Sequence, residues 1–308
     1  MREKNDVVIR VVDLRKSYGD VKALDGISFE IYKGEIFALL GPNGAGKTTT
    51  MEILEGLRKP DSGEIYYFGE KVKVIGSEIK ERMGVQLQDP AFFDQLTVKE
   101  TLEIFRGLYK KGRDLNELIN MMGLGEKIKS KVKNLSGGQL KRLAIAVALV
   151  NDPDIVFLDE PTTGLDPQAR RAVWDIISQM RSEGKTIFLT THYMEEAEKL
   201  ADRVFIIDHG RIIAKGTVDE LIGSLNMESV IVFELRENSI ENSKELKSSG
   251  ILKVGENRYE ISTKNLEDDL SRLFDLSKSM GFDIENLTIR KPNLEDVFLK
   301  LTGRSLRD

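Results

Sequence analysis

Gly41-Pro42-Asn43-Gly44-Ala45-Gly46-Lys47-Thr48 fills every fixed position of the spacing G-x-x-x-x-G-K-[ST]. The residue types suit a polyphosphate. Glycines let backbone N–H groups crowd around phosphate oxygens that a Cβ would keep away. A lysine in this place reaches β- and γ-phosphates, and the Thr48 hydroxyl is a ligand for Mg²⁺. Gly41 to Thr49 is therefore read as a nucleotide-binding stretch.

Further along, Asp159-Glu160 closes the apolar run that starts at Asp154. Asp159 is placed to support Mg²⁺ through water, and Glu160 to act as general base for a water attacking the γ-phosphate; the plainer alternative is a pair of caps for the next helix. His192 is one of two histidines and follows another apolar run, Thr186 to Thr191. It either hydrogen-bonds the γ-phosphate or is structural. Gln88 ends the run Met83 to Leu87, as a Mg²⁺ or water ligand or as an ordinary loop amide. Tyr18 offers a ring face to adenine or is a half-buried aromatic. Leu135-Ser136-Gly137-Gly138-Gln139 opens an apolar-striped helix with small residues, which makes either a simple cap or a second anion site without a lysine.

These groups need strands that end together. Ile36–Leu40, Asp154–Asp159 and Thr186–Thr191 read as buried parallel strands, whose C-terminal ends are where α/β sheets hold ligands. Strands are also expected at Val7–Val12, Ile27–Ile31 and Glu64–Phe68, with a hairpin of Val204–Ile207 and Ile212–Ala214 that leaves His209 in a turn without a chemical role. Helices are expected over Thr48–Leu57, from the capping box Thr97-x-x-Glu100 to about Leu108, over Leu115–Met122, near Ile128–Val132, and over Gln168–Ser182 behind the turn Gly164-Leu165-Asp166-Pro167. Phe92 and Phe93 stand in a loop, where they either fill the core, the usual role for such rings, or form an exposed docking patch.

The totals bound the class. A chain of 308 residues suits two domains, and 40% hydrophobic residues can bury a large core. A net charge of -5 speaks against general affinity for nucleic acid. The absence of cysteine excludes a disulfide framework and a thiolate metal site. Met1 to Asp6 carries no apolar signal segment, and Leu143–Val150 falls short of the roughly 18 residues of a spanning helix. The expectation is a soluble, cytoplasmic chain.

With these pieces in order, Val7 to Leu225 resembles the ATP-binding subunit of an ABC transporter. The likeness rests on Tyr18, the phosphate loop, Gln88, Leu135 to Gln139, Asp159-Glu160, Gly164-Leu165-Asp166 and His192. It implies an α/β P-loop core with a helical signature subdomain, and an active ATPase using ATP and Mg²⁺. Lys47, Glu160 and His192 would be catalytic; Tyr18 would stack on adenine; Thr48, Gln88 and Asp159 would serve Mg²⁺. Ser136 to Gln139, with Leu135, would clamp the γ-phosphate bound by a second copy, and Asp166 would lie at that head-to-tail dimer interface. The resemblance also implies a transmembrane permease on another chain, with Phe92 and Phe93 where its coupling helix docks, a place on the cytoplasmic face of the membrane, and no nucleic acid. A soluble ABC protein of translation, repair or chromosome maintenance is the alternative. A single phosphate loop, and no sustained heptads between Lys47 and Leu135, speak against it.

Residues 226–308 read as a separate small α+β unit, βαββαβ plus a helix, of ferredoxin-like pattern. Strands are expected at Val230–Leu235, Ile251–Val254, Tyr259–Ser262 and Ile284–Ile289, and helices at Ile240–Ser248, Asn265–Met280 and Asn293–Leu301. The ending from Asn293 to Gly303 resembles the tails of drug- and antibiotic-export ABC ATPases, which implies a role in subunit pairing or regulation. No catalytic constellation is present there.

Overall fold

A computed structural model describes residues 6–224, 228–236, 250–255 and 257–303. Val7–Tyr18 (β1) and Val21–Tyr32 (β2) form one long antiparallel hairpin, extended on the other side of β1 by Ser62–Tyr67 (β4, after β3 below) and then Glu70–Val72 (β5). Both hairpin strands run far past the expected spans. The register slips between Val11 and Leu14 and again between Lys16 and Ser17, and each slip moves the in–out alternation by a residue. That erases the period-2 signal while Arg15↔Asp25 and Tyr18↔Val21 remain paired.

The second sheet has six strands. Ile36–Leu40 (β3) lies between Thr186–Thr191 (β8) and Arg203–Asp208 (β9); Ile155–Asp159 (β7) follows β8, then Met83–Gln86 (β6) at one edge, with Arg211–Gly216 (β10) antiparallel at the other. β3, β6, β7, β8 and β9 are parallel, and Leu40↔Thr191 and Asp159↔Thr190 put their C-terminal ends side by side. The two sheets share a core. Phe29 stacks on Phe37 at 5.2 Å, and Phe37 meets Phe188 and Phe205 at 5.4 and 4.8 Å. Such aromatic pairs add about 0.5–1.5 kcal/mol each beyond the area they bury.

The helices are Lys47–Leu54 (α1), Ser77–Glu81 (α2), Val98–Arg106 (α3), Leu115–Met121 (α4), Gly137–Leu149 (α5), Pro167–Ser182 (α6), Met194–Leu200 (α7) and Val218–Ser224 (α8). α1 stops before the expected Leu57 because Gly56 turns left-handed at φ 79°. The helix expected near Ile128–Val132 is absent. Single 3₁₀ turns at Gly125–Lys127 and Val132–Asn134 stand there, and the residues between them feed the start of α3: Ser130 and Ile128 carbonyls accept from Val98 and Lys99. The capping box of α3 is present, with Thr97 and Glu100 bonded reciprocally. α2, α7, α8 and β5 have no counterpart in the sequence reading; each is too short to show a period.

Contacts divide the chain after Val218, at the start of α8. In the second unit Ser229–Leu235 (β11), Leu252–Lys253 (β12), Arg258–Thr263 (β13) and Ile284–Arg290 (β14) form an antiparallel sheet of order β12-β13-β11-β14. Counted along the chain this is 2-3-1-4, the ferredoxin-like order. Leu273, Leu270 and Leu276 of Leu266–Met280 (α9) pack with Ile231, Phe233 and Ile261 on one face, and Leu294–Thr302 (α10) follows. The helix expected at Ile240–Ser248 lies outside the described residues. Among the described residues no helix is long and apolar enough to cross a membrane.

Candidate active site

The phosphate loop leaves β3 at Gly41 and enters α1 at Lys47. Gly46, the residue before α1, sits at φ 111°, where side-chain-bearing residues are strained. A Cβ there would stand 2.5 Å from the Ala23 carbonyl, and one on Gly41 would stand 2.3 Å from the Ile207 carbonyl, so larger residues are excluded twice over. No side chain caps α1, and no backbone acceptor is found among the described residues for the N–H groups of Gly44, Gly46, Lys47 and Thr48. Those donors and the positive end of the helix form a cradle for an anion. Lys47 is 4% exposed and donates to the Gly41 and Pro42 carbonyls at 2.8 and 3.1 Å. Burial pulls its ammonium pKa down, against the pull of Glu160 and Asp159.

Glu160 follows β7 directly, in the left-handed region at φ 46°. Its backbone N–H is held by Thr190, both carbonyl and hydroxyl, at 3.2 Å. This strained turn aims the carboxylate back at the loop. Oε1 lies 3.4 Å from Lys47 Nζ, while Oε2 accepts from the Thr163 hydroxyl at 3.0 Å and from Gln88 Nε2 at 3.5 Å. His192 Nδ1 stands 3.1 Å from the same oxygen, off the line of a well-formed hydrogen bond. Burial pushes the Glu160 pKa up, but His192, Lys47 and Thr163 together outweigh it and hold the group at about 2. It is thus ionised at any physiological pH.

Asp159 is buried beside it, with Oδ1 bonded to the Thr190 hydroxyl, and burial pushes its pKa up. Thr48 and Gln88 are exposed. One carboxylate, one hydroxyl and one amide oxygen are hard donors, too few to enclose an ion. They fit Mg²⁺, which keeps several waters and takes its remaining ligands from substrate phosphates.

The structure thus converges Lys47, Gln88, Asp159, Glu160 and His192 on the end of one parallel sheet. Tyr18 lies at the end of β1, 42% exposed, with the Arg58 guanidinium 5.2 Å and the Lys16 ammonium 5.7 Å from its ring centre. Ser136 to Gln139 lie elsewhere, with no residue of the phosphate loop beside them. They line a groove of about 440 Å³ with Arg142, Gly164, Leu165 and Asp166. Ser136 and Gln139 form a capping box on α5, and the Asp166 carboxylate caps α6 through Ala169 N–H at 2.9 Å; each cap is worth about 1 kcal/mol.

The usual core role does not hold for Phe93, which is 73% exposed; Phe92 is half-buried, edge-on to Phe105 at 5.9 Å. Lys141 on α5 was given no role by its sequence context, yet its buried ammonium donates to the Gln88 carbonyl at 2.7 Å and so ties that loop to the signature helix. A charged residue on the apolar stripe of α5 was the available signal.

The description "ABC transporter" belongs to the family model that matches residues 24–163. The Nod factor export ATP-binding protein I of Sinorhizobium fredii is 41% identical over 318 residues, covering 100% of this chain and 89% of the relative. The chain belongs to the ABC transporter ATP-binding family. The daunorubicin resistance ATP-binding protein DrrA3 of Streptomyces coeruleorubidus is 36% identical, with 98% of each chain covered. A dimeric bacterial ABC transporter cassette of known structure superposes with a TM-score of 0.62 at 28% identity, over 68% of this chain and 98% of that one. The ABC subunit described here is an ATPase, and its core has the ABC cassette fold.

Proposed function

We propose that this ABC subunit energises export through a transmembrane permease carried on another chain, as a head-to-tail homodimer with two ATP molecules at the interface. The observation that carries the dimer is the separation of the two anion sites. The Lys47–Glu160 pair and the unbonded N–H groups of the phosphate loop stand at the end of the parallel sheet, while the Ser136–Gln139 groove is a separate helix start with no lysine in the signature segment. Two copies turned head to tail complete both.

In this reading Tyr18 stacks on adenine and Gly41 to Thr49 wrap the phosphates. Thr48 and Gln88 ligate Mg²⁺, with Asp159 holding one of its waters. Lys47 neutralises the β- and γ-phosphates, Glu160 takes the proton of the attacking water, and His192 bonds the γ-phosphate. Leu135 to Gln139 of the opposite copy close over that phosphate, and Asp166 lies at the interface. The exposed Phe93 and half-buried Phe92 form the docking face for the permease, and the subunit works on the cytoplasmic side of the membrane. Export as the direction is supported by the Nod factor export and daunorubicin resistance relatives.

The test is a pull-down from native membranes with Glu160→Gln protein and ATP. Recovery of a polytopic membrane protein is the expected result; ribosomes or DNA in its place would sink the transport reading. Residues 226–308 are proposed to support dimerisation, since their described residues make a discrete sheet-and-helix unit in which no catalytic constellation stands. A chain ending at Leu225 is then expected to dimerise at least several-fold more weakly in sedimentation runs with ATP, and unchanged dimerisation would remove this role.

A further inference from the structure

Glu196 has no exposed surface, yet it carries a carboxyl group that the ATP chemistry above does not use. It lies on α7, four residues after His192. Burying a carboxyl is costly unless its partners repay the lost water. The partners are specific. Oε1 accepts from the Thr162 hydroxyl at 2.8 Å and from the Trp174 indole N–H at 3.0 Å. One oxygen therefore joins three segments: the loop after Glu160, helix α6 and helix α7.

What those segments carry gives the bond its meaning. Thr162 precedes Thr163, whose hydroxyl donates to Glu160 Oε2 at 3.0 Å. Helix α7 begins two residues after His192, whose Nδ1 stands 3.1 Å from that same oxygen. Two of the groups that touch the reacting carboxylate are thus borne on backbone that Glu196 pins from either side. Helix α6 also reaches the signature groove at its first turn, through Asp166 and Ala169.

We propose that Glu196 is a positioning residue for hydrolysis: by gripping Thr162 and Trp174 it fixes Thr163 and His192 against Oε2 of Glu160. The inference rests on the assignment of Glu160 as the base. It makes a shift of α6 felt at the catalytic carboxylate, because Trp174 and Thr162 share one acceptor atom.

Truncating Glu196 would leave two buried donors unpaired and so confound function with folding, and the deciding variants are therefore at Thr162. Thr162→Val removes the donor at nearly constant volume, and Thr162→Ser keeps it. With the full chain and MgATP, Thr162→Val is expected to lower kcat on the order of tenfold while KM stays within about twofold, as a misplaced catalytic group does. Thr162→Ser is expected to recover kcat to within about twofold of wild type. The single tryptophan supplies a second readout. Its emission maximum should hold in Thr162→Val, where the indole bond to Glu196 remains, and shift in Glu196→Gln, where an amide replaces the carboxyl group beside it. Wild-type kcat in Thr162→Val would overturn the proposal, as would equal losses in Val and Ser variants with KM rising in step. Glu160→Gln assayed alongside keeps the two questions apart: turnover in that variant would refute the base assignment, whatever the Thr162 variants do.

Discussion

Glu160→Gln is expected to lower ATP turnover at least ~100-fold, the range lost when a positioned general base is removed, while ATP affinity changes little. The substitution keeps size and hydrogen-bonding capacity, so the Thr163 hydroxyl still finds an acceptor oxygen. It removes a charge that Lys47 faces at 3.4 Å, and the freed ammonium can give more to phosphate. Binding without turnover should then populate the closed dimer. Single-turnover hydrolysis together with size-exclusion chromatography in MgATP checks both halves. Turnover near wild type would remove Glu160 from the role of base. Because its pKa is held at about 2, protonation of Glu160 falls well below neutrality, and an acid limb in the wild-type rate near pH 6 would belong to another group.

Lys47→Ala acts on binding instead. Each charge-assisted hydrogen bond from the ammonium to phosphate is worth about 1.5–3 kcal/mol, so the loss of one or two raises the Kd for ATP on the order of 100-fold. The variant also strips Glu160 of its nearest lysine, and the carboxylate pKa moves upward as a result. Lys47→Arg is not expected to rescue binding. The lysine is 4% exposed and folded against the Gly41 and Pro42 carbonyls, a space cut for a single ammonium rather than a planar guanidinium. Equilibrium binding of ATP separates this outcome from that of Glu160→Gln. Wild-type affinity in Lys47→Ala would refute the phosphate-loop assignment.

Much of the site was legible because its parts are local. The phosphate loop spans eight positions, and the caps at Thr97–Glu100, Ser136–Gln139 and Asp166–Ala169 each close within three residues. Short closed geometries of this kind demand particular residue types at particular spacings, and those demands survive in the sequence. Apolar runs at Ile36–Leu40, Ile155–Asp159 and Thr186–Thr191 were equally plain, since strands covered on both faces need no alternation. The hairpin of β1 and β2 was half hidden. Its register slips replace the strand period with a pattern that reads as loop.

The sequence by itself determined that this is a nucleotide-binding α/β protein of ABC type, with a carboxylate pair, a histidine and a second anion site in a set order along the chain. Only the tertiary structure decided which of those groups meet. Lys47, Glu160 and His192 converge because β3, β7 and β8 are neighbours in one parallel sheet and end in register. The grip of Glu196 on Thr162 and Trp174, and of Lys141 on the Gln88 carbonyl, likewise joins residues far apart in sequence. The physical reason is the range of the interactions. A cap or a loop is satisfied by its own neighbours, whereas a buried charge takes whatever partner strand order and register bring to it.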